Sequence, residues 1–226
     1  SPEIEAANFH NSVNLTVKIL MPDANKMTVA CLDFEGVLIP EIWKGLARLS
    51  GIDELKLTTR DIADYDELMR YRLKICDQHK LTLHDIHQVV EQMDPLDGAF
   101  EFLNWLRKRN EVVILSDTFR EFVEPLLHKL QHPTVFCHSL KLDDDLRIVD
   151  YCLRQKDQKR HAVKALKGLN YHIVAVGDSY NDISMLQEAD HGIFFRPTKK
   201  ITGEYPDFPV THEFDALKNE LEQLKK

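Results

Sequence analysis

The chain lacks three things that would each point to a different class of protein. No apolar run approaches the roughly 18 residues of a membrane-spanning helix. Lys and Arg are outnumbered by Asp and Glu, 29 against 37, for a net charge of −8. Such a chain lacks the basic face that nucleic acid or an anionic membrane selects, so neither is expected as a partner. The four cysteines, Cys31, Cys76, Cys137 and Cys152, have no C-x-x-C spacing. Without that spacing and without a signal-like segment, the expectation is a reducing cytoplasm and free thiols, with Cys31 acting as a small hydrophobe in a strand. There are no repeats and no low-complexity segments. His84 and His87 are the only histidine pair suggesting a metal, and no third ligand accompanies them.

The 226 residues are enough for one domain with a sizeable insertion, and 43% hydrophobic with 29% charged residues is ordinary for a globular protein. Residues 1–26 differ from the rest. They begin Ser-Pro, and the core pattern starts only after Met27, so they are expected to be an added N-terminal extension. The alternation of Val13, Leu15, Val17 and Ile19 would still allow a short edge strand there.

Beyond that point, apolar runs end repeatedly in acidic or hydroxyl residues. Val29 to Leu32 leads to Asp33, Val112 to Leu115 leads to Ser116, and Ile173 to Val176 leads to Gly177 and Asp178. Ile193 to Phe195 suggests another strand. Continuous β-branched runs suit strands covered on both faces, as in a parallel sheet. Apolar residues at Ala99, Phe102, Leu103 and Leu106, at Phe122, Val123, Leu126, Leu127 and Leu130, and at Val163, Leu166 and Leu169 mark helices between them. This alternation predicts an α/β fold, a doubly wound parallel sheet of Rossmann-like type. Residues 40–95 interrupt it with helical stretches at 42–49, 66–79 and 83–93, which predicts a small helical cap inserted after the first catalytic strand. The core then comprises 27–39 and 96–226. Residues 140–155 read as a hairpin or extended excursion.

Four motifs carry chemistry: Asp33-Phe34-Glu35-Gly36-Val37, Ser116-Asp117-Thr118, Lys156, and Gly177-Asp178-Ser179-Tyr180-Asn181-Asp182. Singly they are unremarkable: a turn, a helix N-cap, a surface lysine, and first-turn acids. In one order and at the ends of strands they describe a phosphoryl-transfer site, because parallel strand ends converge on one crevice. Asp33 can attack phosphorus and form an aspartyl-phosphate. Glu35 can serve as general acid and then base. Asp33, the backbone carbonyl of Glu35 and Asp178 offer oxygen ligands for Mg²⁺, and Asp182 would support them from a second layer. Ser116 and the adjoining backbone at Asp117 can bind phosphate oxygens where a helix is expected to begin. Lys156 would supply the neutralising cation, with Arg154, Lys159 and Arg160 close by as alternatives.

These motifs and the helical insertion resemble the haloacid dehalogenase superfamily, over residues 28–210. The closer likeness is to its bifunctional phosphoserine phosphatase/homoserine phosphotransferase group, through Cys31 to Glu41, Ile114 to Phe119, Leu153 to Asp157 and Gly177 to Asp182. That resemblance implies Asp33 as nucleophile, Glu35 as acid/base, Ser116 and Lys156 as phosphate ligands, Asp178 as metal ligand and Asp182 as supporting acid. Asn181 would orient the phosphoryl group. In the cap, Glu41 would read a substrate ammonium and Arg72 a carboxylate, chemistry suited to both side chains. Two residues depart from most superfamily phosphatases, Glu35 in place of Asp and Asp117 in place of Gly, and both match the bifunctional group.

The expected activity is Mg²⁺-dependent hydrolysis of L-phosphoserine, with transfer of the same phosphoryl group to L-homoserine. A phosphatase for another small phosphomonoester, or a phosphate-binding protein without turnover, are the alternatives. Surface helices offer faces through which a homodimer would form.

Overall fold

The computed structural model describes residues 26–58, 61, 62 and 64–224. The proposed extension and the alternating segment at 13–19 lie outside them. Strand β1 (Thr28–Leu32) opens the fold, and a helical insertion follows: α1 (Ile42–Ser50), a 3-10 turn at Asp53–Lys56, α2 (Tyr65–Gln78) and α3 (Leu83–Val90). The chain returns through α4 (Ala99–Arg107) to β2 (Glu111–Phe119), α5 (Arg120–Lys129), β3 (Val135–Leu142) and β4 (Ile148–Cys152). Then come α6 (Gln158–Gly168), β5 (His172–Gly177), a 3-10 turn at Tyr180–Asp182, α7 (Ile183–Glu188) and β6 (His191–Phe195). Helix α8 (Lys199–Glu204), β7 (Val210–Thr211) and α9 (Phe214–Gln223) complete it.

Among the described residues these strands form one seven-stranded sheet in the order β4-β3-β2-β1-β5-β6-β7. All neighbours are parallel except β3 and β4, which make the antiparallel hairpin expected near residues 140–155. Successive residues of β1 serve opposite faces of the sheet. Ala30 and Leu32 join a core with α4, α5, α9 and the insertion, whereas Val29 and Cys31 join a second core with α6 and α7. Burial on both faces is why these strands read as unbroken apolar runs. The Cys31 thiol lies fully inside, and burial pushes its pKa up to about 12.

Register then determines where the chemistry emerges. Leu32 lies opposite Ile114 on one side and Val176 on the other, so Asp33, Ser116 and Asp178 lie at the same edge of the sheet. The Asp33 N–H donates to the Val176 carbonyl at 2.8 Å, which ties the ends of β1 and β5 together.

Each insertion helix ends in a way its sequence explains. Gly51 closes α1 in the left-handed conformation, and Thr82 with Asp85 makes a capping box at α3. The insertion rests on α5 through Trp43, whose ring meets Phe122 edge-on at 5.0 Å. It meets the hairpin where the Leu83 N–H donates to the Leu146 carbonyl at 2.8 Å and the Tyr151 hydroxyl bonds Asp66. Lys129 at the end of α5 donates to the Glu91 and Met93 carbonyls at 2.8 and 2.7 Å, fixing the return crossing.

Gly36 is a tight point at the sheet's upper edge. Its φ is +83°, and a Cβ there would lie 2.5 Å from Asp178 Oδ2. A side chain would therefore meet both backbone strain and overlap. Gly36→Ala is expected to lower the unfolding free energy by about 2–4 kcal/mol. Gly203→Ala, in a helix with open space around it, should be neutral or slightly stabilising. Calorimetric melting of the two variants checks both signs.

Candidate active site

A cavity of about 490 Å³ opens over the strand ends. Its floor comprises Asp33, Glu35, Ser116, Asp117, Lys159, Asp178 and Asn181, and its roof includes Glu41, Trp43, Tyr65 and Arg72 from the insertion. The structure thus brings together every residue singled out from the motifs except Asp182, which is buried directly beneath, and Lys156.

Lys156 is exposed in the loop before α6 and lines a neighbouring cavity instead. Lys159 stands in the place anticipated for it. Its side chain is 3% exposed, and its ammonium donates to Asp33 Oδ1 at 2.7 Å and Asp182 Oδ1 at 2.8 Å, with Asp117 Oδ2 3.6 Å away. The difference arises at the start of α6. Asp157 takes a left-handed φ of 51°, and the helix begins at Gln158, so the second helical residue, not the loop lysine, turns inward. The signal was available, since Lys159 shares a face with Ala162, Val163 and Leu166 at i+3, i+4 and i+7.

Burial alone would strip the Lys159 proton. Asp182, Asp33 and Asp117 outweigh it and hold the ammonium pKa well above the usual lysine value. Asp33 shows the opposite balance. Burial and the charge of Asp182 push its carboxyl well above the normal range, against the pull of Lys159. For the same reasons Asp178 is pushed up to about 7.

Asp33, Asp178 and Asp182 bring carboxylate oxygens within 4.8 Å of one another. An all-oxygen set of this charge fits a hard divalent cation such as Mg²⁺. Asp182 is already committed. Its Oδ2 accepts from the Asp178 and Ser179 N–H groups at 3.0 and 3.1 Å, and its Oδ1 accepts from Lys159. That occupation suits a supporting acid, with Asp33 and Asp178 facing the ion. Gly177 makes the packing possible, because a Cβ there would lie 2.4 Å from the Asp182 Cβ.

Ser116 is buried, and its Oγ accepts from the Thr118 N–H at 3.2 Å. The expected helix start is displaced: β2 continues to Phe119 through an irregular register, and α5 begins only at Arg120. Ser116 and Asp117 therefore reach the cavity from extended strand backbone, not from a helix terminus.

Glu35 is half-buried. Its Oε2 accepts from the Ile42 N–H at 3.0 Å, capping α1 where Glu41 makes no side-chain cap. Burial raises its pKa, and the Ile42 bond only partly opposes this. A carboxyl with a raised pKa suits a proton donor. Arg72 is 7% exposed, with its guanidinium 4.6 Å over the Trp43 ring and its Nη2 donating to the Leu57 carbonyl at 2.9 Å. Its Nε has no hydrogen-bond partner among the described residues, and burial lowers its pKa to about 10. Glu41 is half-exposed and pairs with Lys44 at 2.7 Å. His84 and His87 take separate partners, Gln88 and the Glu121 carbonyl, and form no cluster. Among the described residues no helix is long and apolar enough to cross a membrane.

A family model for haloacid dehalogenase-like hydrolases matches residues 25–187. The phosphoserine phosphatase ThrH of Pseudomonas aeruginosa is 55% identical over 195 residues, covering 86% of this chain and 95% of its own. A phosphoserine phosphatase of Pseudomonas syringae pv. tomato is 55% identical over 193 residues, covering 85% and 81%. Among solved structures, a phospho-aspartyl intermediate analogue of phosphoserine phosphatase superposes with a TM-score of 0.69 over 86% of this chain and 99% of that one. At 22% identity that likeness concerns the fold.

Two expectations follow from the charge arrangement. Lys159→Ala strands buried carboxylates and should cost about 3–5 kcal/mol in urea unfolding, whereas Lys156→Ala should change stability by less than about 0.5 kcal/mol. The second concerns pH. A carboxyl raised from 3.8 to about 7 favours the folded state at low pH, and that contribution is lost as pH rises through this window. A cation competes with the same proton, so the gain in melting temperature given by Mg²⁺ should grow from about pH 5 to about pH 8. A gain independent of pH would remove Asp178 from the ion's ligands.

Proposed function

Because the chain belongs to the haloacid dehalogenase-like hydrolases, we propose that it is a Mg²⁺-dependent phosphoserine phosphatase acting through an aspartyl-phosphate on Asp33. We further propose that the same intermediate passes its phosphoryl group to L-homoserine. The observation that carries the substrate is Arg72. A buried guanidinium whose Nε has no partner among the described residues, in the same cavity as Asp33, calls for a carboxylate from the ligand. Glu41, on the cavity wall with Lys44 as its present partner, complements the ammonium. The 55% identical relatives, both phosphoserine phosphatases by name, support the same substrate.

The residues perform the reaction in two halves. Asp33 attacks phosphorus and the bond to the serine oxygen breaks, while Glu35 gives that oxygen its proton. Water then attacks the phosphoryl group, Glu35 takes its proton, and the bond to Asp33 breaks to release phosphate. In transfer, the homoserine hydroxyl takes the place of water. Lys159, Ser116 and Asn181 hold the phosphoryl oxygens through both steps, and Mg²⁺ held by Asp33, Asp178 and the carbonyl of residue 35 would supply the remaining neutralising charge. The insertion acts as a cap, closing over the amino-acid portion and excluding water during the first half.

A ³¹P NMR time course with Mg²⁺ and L-phosphoserine, with and without L-homoserine, separates the two activities. Consumption of phosphoserine with a new homoserine-dependent phosphomonoester signal is expected. Inorganic phosphate alone in both samples would withdraw the transfer, and unchanged phosphoserine would withdraw the substrate. Arg72→Ala should lower kcat/KM for phosphoserine by about thirtyfold or more while leaving an aryl phosphate nearly unaffected. Equal losses on both would remove Arg72 from carboxylate recognition.

A further inference from the structure

Asp117 poses an electrostatic question. A carboxylate beside a phosphate subsite repels a dianion, yet this one lines the catalytic cavity. The structure shows what it does instead. Its Oδ2 accepts from Asn181 Nδ2 at 3.0 Å and lies 3.6 Å from the Lys159 ammonium. Its Oδ1 accepts from Gln158 Nε2 at 3.2 Å and lies 3.6 Å from His138 Nε2. His138 is buried, and its Nδ1 accepts from the Arg154 N–H at 3.0 Å, so the neutral ring carries its proton on Nε2, facing Asp117. The Tyr65 hydroxyl donates to the Asp117 backbone carbonyl at 3.2 Å. One residue of β2 thus gathers groups from α2, β3, α6 and the turn after β5. Burial works against its charge, but Lys159, His138, Asn181 and Gln158 hold its carboxyl well below the usual range.

Distances indicate which of these contacts matters for the site. Lys159 has closer partners in Asp33 and Asp182, at 2.7 and 2.8 Å, and would keep its place without Asp117. Asn181 is different. Its Oδ1 accepts from Ser179 Oγ, which fixes the amide with Nδ2 turned toward Asp117. That leaves one amide N–H donating to Asp117, on a residue that lines the catalytic cavity. Asp117 and Asn181 also both line the second cavity, of about 670 Å³, so their hydrogen bond stands where the two cavities adjoin.

We propose that Asp117 is a positioning residue that works through Asn181, holding its amide toward the phosphoryl group, and that it contacts no substrate itself. This rests on the cavity being a phosphoryl site, but not on phosphoserine being the substrate. The test accordingly uses p-nitrophenyl phosphate as substrate and inorganic phosphate as competitive inhibitor, neither of which has an amino-acid portion. Failure on phosphoserine with success here would therefore count against the substrate alone.

In Asp117→Ala, the inhibition constant for phosphate should rise about tenfold, the loss of one hydrogen bond to a charged group. In an Asn181→Ala background the same change should add nothing, because the amide it positions is gone. Asp117→Asn keeps an acceptor oxygen and the side-chain volume. It should stay within about threefold of the parent, and it keeps the test readable if the alanine variant melts early. Phosphate binding as tight as the parent's or tighter in Asp117→Ala would mean the carboxylate merely repels the anion. Multiplying losses in the double variant, or a tenfold loss in Asp117→Asn, would place its role elsewhere. Any of these overturns the proposal.

Discussion

The site depends on one buried ammonium. Lys159 sits among Asp33, Asp182 and Asp117 with almost no access to water, and each of its partners belongs to a different strand end. Without that cation, bringing four carboxylates to one edge of a sheet would be opposed by both desolvation and mutual repulsion. With it, a set that is still strongly negative persists, and the remaining charge suits a divalent cation. The same lysine thus serves folding and chemistry. It reaches its place because α6 begins one residue after a left-handed Asp157 and presents its inner face to the strand ends.

Around that ion pair the structure divides its labour. The sheet supplies fixed positions through register, with Leu32 held between Ile114 and Val176. The insertion supplies groups that face the cavity from the other side. Glu35 belongs to both, since its carboxylate leaves β1 but ends on the first N–H of α1. The reach of a glutamate side chain is what permits that contact, and it gives the departure from Asp at this position a geometric meaning.

The amino-acid sequence was most legible where a strand run ends in a polar residue. Asp33, Ser116 and Asp178 could be placed because the apolar runs preceding them are continuous and the parallel geometry makes their ends meet. The helices of the insertion were readable to within a few residues from their apolar spacing. Lys156 and Lys159 show where such reading fails. Motif spacing favours the first, while helical phase, set by a cap that no local pattern announces, favours the second. The helix expected at Ser116 failed for a related reason, as β-branched and aromatic residues carry β2 on to Phe119. Asp117 was read as a phosphate contact from its neighbours. Its bonds to Asn181, Gln158 and His138 come from residues 21 to 64 positions away and leave no trace in a local window.

The sheet order also governs how the molecule comes apart. Asp33 and Asp178 directly follow β1 and β5, and Ser116 lies in the buried part of β2, the three adjacent strands at the middle of the sheet, while β4 and β7 form the two margins. Thermal fluctuations detach margins and surface helices at far lower cost than central strands. Partial opening at either edge therefore leaves Asp33, Lys159 and their acidic neighbours in register, so the candidate site resides in the portion of the chain that is last to lose its protection.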